Sequence, residues 1–170
     1  MRQDWFFIFQ GFCGIIFLNI LSFFLNNFDI FYNVKFFLIE NDILTASGLE
    51  VQLCCLGQEV CVYSGAADSA AQASAILANQ PDYIIIGAGD QHPSLMMKNL
   101  QNHEEIRRLP VFVLLEEDEP AFLAHHARSG ADYVLKKIEN DFSALAQKIL
   151  KIINNREKIT SRQANSRLWP

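Results

Sequence analysis

Gln80 to Gly87 reads QPDYIIIG and Leu109 to Leu115 reads LPVFVLL. Each holds a proline and then, directly in the second and after Asp82 in the first, an unbroken apolar run too short for a helix, the pattern of a strand covered on both faces. Three further runs fit strands: KFFLI (Lys35 to Ile39), EVCVY (Glu59 to Tyr63) and YVL (Tyr133 to Leu135). EVCVY alternates, as a strand nearer an edge does, which places the first, third and fourth strands centrally.

Between these runs the periodicity is helical. It predicts helices over Ile43 to Leu56, ended by Gly57; Ala66 to Ala78, ended near Pro81; part of Leu95 to Ile106; Pro120 to Ser129, ended by Gly130; and Asp141 to Asn154. Leu49, Leu53 and Leu56 share one helix face, as do Phe142, Leu145, Ile149 and Ile152. Strand and helix alternating five times predict an α/β fold, a doubly wound parallel sheet in a three-layer αβα sandwich. Its crevice lies at the carboxyl ends of the strands. The loops to inspect are Glu40 to Ile43, Gly87 to Ser94, Glu116 to Pro120 and Lys136 to Asn140.

The whole chain has 170 residues, 51% hydrophobic and 19% charged, which excludes a disordered protein. A mean hydropathy of +0.11 excludes a polytopic membrane protein. Val34 to Lys148 holds sixteen acids against eight Lys and Arg, a net of −8, unsuited to nucleic acid. Residues 156–170 form a basic tail expected to be disordered. Cys13, Cys54, Cys55 and Cys61 include no CxxC pair and no His at ligand spacing, so neither zinc nor a disulfide framework is indicated.

Residues 1–33 hold nine of the fourteen phenylalanines. Trp5 to Leu25 is uncharged, and a helix of that length spans roughly 30 Å, a bilayer's hydrocarbon core. No small-x-small cleavage site follows it. One reading is an inner-membrane anchor, N-out, before a cytoplasmic domain. The other is translated upstream DNA ahead of a start at Val34, which N-terminal sequencing of the native protein would reveal.

FFLIEND (Phe36 to Asp42), CLGQEV (Cys55 to Val60), QPDYIIIG, LPVFVLL and SGADYVLKK (Ser129 to Lys137) stand in an order and at separations that resemble the CheY-like receiver domain of bacterial response regulators. The resemblance covers about Val34 to Asn155 and implies the flavodoxin-like strand order 2-1-3-4-5. It further implies phosphoryl transfer to an Asp carboxylate, with Mg²⁺ on a carboxylate cluster and a hydroxyl and a Lys at the phosphoryl oxygens. This chain departs from that chemistry. Counting from Pro81-Asp82 puts Gly87 at the acceptor position, where no side-chain oxygen exists. The hydroxyl position is Leu115. The acidic pair becomes Glu40-Asn41, with Asp42 just beyond, a weakened site for a hard cation. The Lys survives: gapless counting gives Lys137, whereas Tyr-x-x-Lys spacing from Tyr133 gives Lys136. Asp90, in a longer loop, is either a displaced acceptor or the cap of the following helix.

Other motifs carry less. Asp90-Gln91-His92 echoes a cobalamin motif in the wrong loop, and Gly87-Ala88-Gly89 lacks a third glycine. His125 and His126 point about 100° apart on a helix and cannot share a metal. Glu116 to Glu119 favours a helix start and leaves the crevice acidic.

The expectation is a phosphorylation-incompetent pseudo-receiver, with no catalytic residue, metal or cofactor, acting as a protein interaction module in bacterial signalling. By resemblance its partner face includes His125, Arg128, Tyr133, Lys136 and Lys137. Two alternatives stand: a phosphoacceptor using Asp90 with Mg²⁺, and a membrane-anchored scaffold.

Overall fold

The computed structural model describes residues 33–64, 69–87, 93–116, 130–137 and 141–166. Strands β1 (Lys35–Ile39), β2 (Glu59–Tyr63), β3 (Tyr83–Gly87), β4 (Val111–Leu115) and β5 (Tyr133–Lys136) form one parallel sheet in the order β2-β1-β3-β4-β5. The described helices are α1 (Ile43–Cys55), α2 (Ser69–Asn79), α3 (Pro93–Leu100) and α4 (Phe142–Ser166), with a 3₁₀ turn over Ile106–Arg108. Fold class and strand order are those expected from the sequence.

The unbroken apolar strands explain the layering. Every residue of β3 and β4 is buried, as are the last four of β1, whereas β2 is only half-buried at the edge. Successive side chains point to opposite faces. Phe36, Leu38, Ile85, Phe112 and Leu114 therefore meet α1 and α4 through Leu49, Leu53, Leu145, Ile149 and Ile153. Phe37, Ile39, Ile84, Ile86, Val113 and Leu115 meet α2 and α3 through Ala73, Ile76, Met96, Met97 and Leu100. Each of these Leu, Ile, Val, Phe and Met side chains contributes about 1.5–3 kcal/mol by leaving water.

One device is used twice to align the strands. The Asp82 carboxylate, just before β3, accepts the Lys35 N–H of β1 at 2.8 Å, and its own N–H donates back to the Lys35 carbonyl at 2.8 Å. Asp132, just before β5, does the same to Val111 of β4, at 2.9 and 3.1 Å. Asp82→Ala removes a charge-assisted bond at the sheet's amino end, and a loss of about 1–2 kcal/mol in urea unfolding is expected.

Two boundaries differ from the sequence reading. The long middle segment is split into α3 and the 3₁₀ turn. The last helix does not stop at Asn154 but runs to Ser166, so most of residues 156–170, expected as an irregular tail, is helical. The apolar face that fixed the predicted end stops at Ile153. Helix geometry continues beyond it because Arg156 to Ser166 contains no Gly or Pro to break the turn. Among the described residues, no helix is long and apolar enough to cross a membrane. The candidate span Trp5 to Leu25 and the predicted helix Pro120 to Ser129 lie outside them.

Candidate functional site at the carboxyl edge of the sheet

Parallel register brings Glu40, Gly87, Leu115 and Lys137 to one edge, since each stands at or just beyond the end of a strand. Glu40 is 1% exposed, although it is charged. Its carboxylate lies over the Cα of Gly87: a Cβ placed there would sit 1.9 Å from Oε2 and 2.4 Å from Cδ. Nothing larger than glycine fits at position 87 beneath this carboxylate. The place that the resemblance gives to an acceptor side chain is filled from β1 instead of β3.

The buried charge is balanced. Lys137 Nζ is 2.8 Å from Glu40 Oε2, with the two side chains 11% and 0% exposed, and 3.3 Å from Oε1 of exposed Glu116. Glu40 Oε1 accepts the Asp42 N–H at 3.0 Å. The Oε2 contact is ionic rather than directional: the distance is short, yet the geometry is not that of a hydrogen bond, so Oε2 has charge as its partner. An unpaired carboxylate here would cost several kcal/mol. Lys137 is held in place by its own N–H, which donates to the Leu115 carbonyl at 2.6 Å.

This geometry settles the lysine left open by counting. Lys137 reaches the site; Lys136 is exposed at the end of β5, opposite Leu115. Tyr133 packs in the α1 and α4 layer, its ring stacked on Phe112 with centroids 4.6 Å apart, and Lys136, three residues on, falls on the opposite face of β5. Leu115 is buried against the α2 and α3 layer and offers no hydroxyl. Asn41 is exposed.

Asp42 is occupied elsewhere. Its carboxylate caps α1, accepting from the N–H groups of Leu44 and Thr45 at 3.3 and 3.1 Å and from the Thr45 hydroxyl. The Thr45 hydroxyl and N–H are the main reasons its carboxyl is held below the ordinary aspartate range. A depressed folded pKa contributes stability above the unfolded value that is lost as pH falls through the folded one. Asp42→Ala is expected to lower stability at neutral pH by about 1 kcal/mol, and the gap should close on acidification below the folded pKa. Urea melts of both proteins across that range check it.

The described residues do not fit the Mg²⁺ that the resemblance implies. Glu40 is neutralised by Lys137, Asp42 is a cap, and no group of three His, Cys, Asp or Glu is placed to hold a metal among the described residues. Asp90, His125 and Arg128 lie outside them. Sequence reading missed the role of Glu40. Its signal was present as a long acid after the first strand paired with a glycine at the end of the third.

No protein-family profile matches the chain, and no curated protein does. Solved structures do. A putative response regulator from Chloroflexus aurantiacus is 22% identical, with 71% of this chain and 99% of that one covered at a TM-score of 0.56. The receiver domain of Francisella response regulator 1452 is 21% identical, covering 74% and 99% at 0.60. The chemotaxis protein CheY4 of Vibrio cholerae is 19% identical, covering 73% and 98% at 0.59. An edge-to-edge order of β2-β1-β3-β4-β5, two helical layers and near-complete coverage of those domains together give this chain the fold of a response regulator receiver.

Proposed function

We propose that this chain is a degenerate receiver acting as a phosphorylation-independent protein interaction module in bacterial two-component signalling. The observation that carries this is the Glu40 carboxylate, which fills the space over Gly87 and pairs with Lys137. Phosphoryl transfer needs an accessible carboxylate, a divalent cation and a free ammonium group to neutralise charge. Here the ammonium is already neutralised, and the carboxylate beside it is buried. The module then offers partners one fixed conformation, with Lys136 on the exposed side of β5 and His125 and Arg128 as the further contacts the resemblance implies.

Incubation with acetyl phosphate and Mg²⁺, followed by intact-mass and peptide analysis, tests the reading. The unmodified mass is expected. A phosphoaspartate at Asp90 that is lost in Asp90→Asn would establish the competing acceptor and overturn the proposal.

A further inference from the structure

The outer surface of the α1 and α4 layer departs from the acidic character of the rest of the domain. α1 exposes Ile43, Leu44, Val51, Cys54 and Cys55, with Leu44 78% and Val51 55% accessible. Ser47 is the one polar residue exposed among them, and the one charged residue of α1, Glu50, is half-buried. α4 packs on the same face of the sheet, with Phe142 so close that a Cβ on Gly48 would sit 2.2 Å from its ring. The outward faces of the two helices therefore point the same way. There α4 exposes Lys148, Lys151 and Lys158, which fall within about 80° of one another at 100° per residue. The exposed acid of α4, Glu157, lies on the opposite side of the helix from Lys148, and the exposed carboxylates Asp42 and Asp141 sit as caps at the amino ends of the two helices.

A largely apolar row beside a lysine stripe is the composition of a surface that lies on a membrane. We propose that this face docks on an anionic lipid surface, with Leu44 and Val51 entering the boundary between headgroups and acyl chains and Lys148, Lys151 and Lys158 meeting lipid phosphates. Charge complementarity selects the occupant: Val34 to Lys148 carries a net −8, yet the outward stripe of α4 exposes three lysines. The row also lacks the Trp, Tyr, Arg and Met anchors that dominate protein interfaces. Lysine stems are long enough to lie along apolar surface while their heads reach phosphate. The inference stands apart from the reading of the Glu40 site.

The test uses the full chain and compares vesicles of phosphatidylglycerol with vesicles of phosphatidylcholine. Residues 1–33 are the same in wild type and in the charge-reversal variant, so the difference between the two in the ratio of affinities reports on the lysine stripe. A preference for phosphatidylglycerol of at least about tenfold is expected, abolished by high salt and by Lys148→Glu/Lys151→Glu. A polarity-sensitive dye on Cys54, in a Cys13→Ser/Cys55→Ser/Cys61→Ser background, is expected to shift to the blue on phosphatidylglycerol alone, and Leu44→Ser/Val51→Ser to weaken that binding. Circular dichroism melts verify that the variants fold; should a charge-reversal or serine variant not fold, the salt dependence of the wild type and the Cys54 dye in the chain that keeps Leu44, Val51, Lys148 and Lys151 decide. Equal affinity for both vesicles, an unshifted dye, or undiminished preference in the folded charge-reversal variant overturns the proposal, as would binding only to an acidic protein.

Discussion

Gly87→Ala is expected to lower stability by about 3 kcal/mol, the upper end of what an added methyl group costs in a packed core. The new Cβ would meet Glu40 Oε2 at 1.9 Å, and that oxygen has no room to retreat because its side chain is fully buried and held by Lys137. The effect should vanish when Glu40 is shortened. In Glu40→Ala/Gly87→Asp, the carboxylate returns to β3, where Lys137 can pair with it, and stability should recover to within about 1 kcal/mol of Glu40→Ala alone. Urea unfolding of the single and double variants measures this. Additive losses would mean that the two positions do not share one space.

Lys137→Met should be the other large loss, about 3–5 kcal/mol, because it strands a charge rather than merely removing a contact. The pair is asymmetric: Glu40 has 0% of its side chain exposed, whereas Lys137 retains 11% and a second partner in Glu116. Removing the lysine leaves a carboxylate sealed under the sheet edge. Removing the carboxylate leaves an ammonium group near solvent, and Glu40→Gln should cost clearly less than Lys137→Met. Replacing both, as in Glu40→Leu/Lys137→Met, should return most of the stability, since a buried ion pair is often no better than apolar packing of similar volume. A coupling energy of at least about 2 kcal/mol from this cycle is expected. A Lys137→Met variant as stable as wild type would show that Glu40 is not buried as described.

The fold was legible because its signals are local and redundant. YIIIG and VFVLL read as doubly covered strands, and the structure buries every residue of both. Leu49 and Leu53, and likewise Leu145 and Ile149, face the sheet as their spacing requires. The end of α4 was not legible, because apolar periodicity reports where a helix is buried and not where hydrogen bonding ceases. The site was half legible. That Gly87 offers no side-chain oxygen and Leu115 no hydroxyl follows from residue type alone. The filling of the vacated space by Glu40 does not, because it depends on two strands distant in sequence and adjacent in the sheet. Lys137 was undecidable by counting, since a one-residue shift at the end of β5 exchanges the face a side chain takes.

The central claim is that the Glu40 carboxylate fills the space over Gly87 and pairs with Lys137, so that no free ammonium group is left there to receive a phosphate. Amide resonances of Gly87 and Lys137, followed during titration of the ¹⁵N-labelled full chain with beryllofluoride and Mg²⁺, test it most directly. The account predicts that both remain unmoved at saturating reagent. Saturable shifts at both positions would show a phosphoryl mimic seated beside Lys137 and would contradict it.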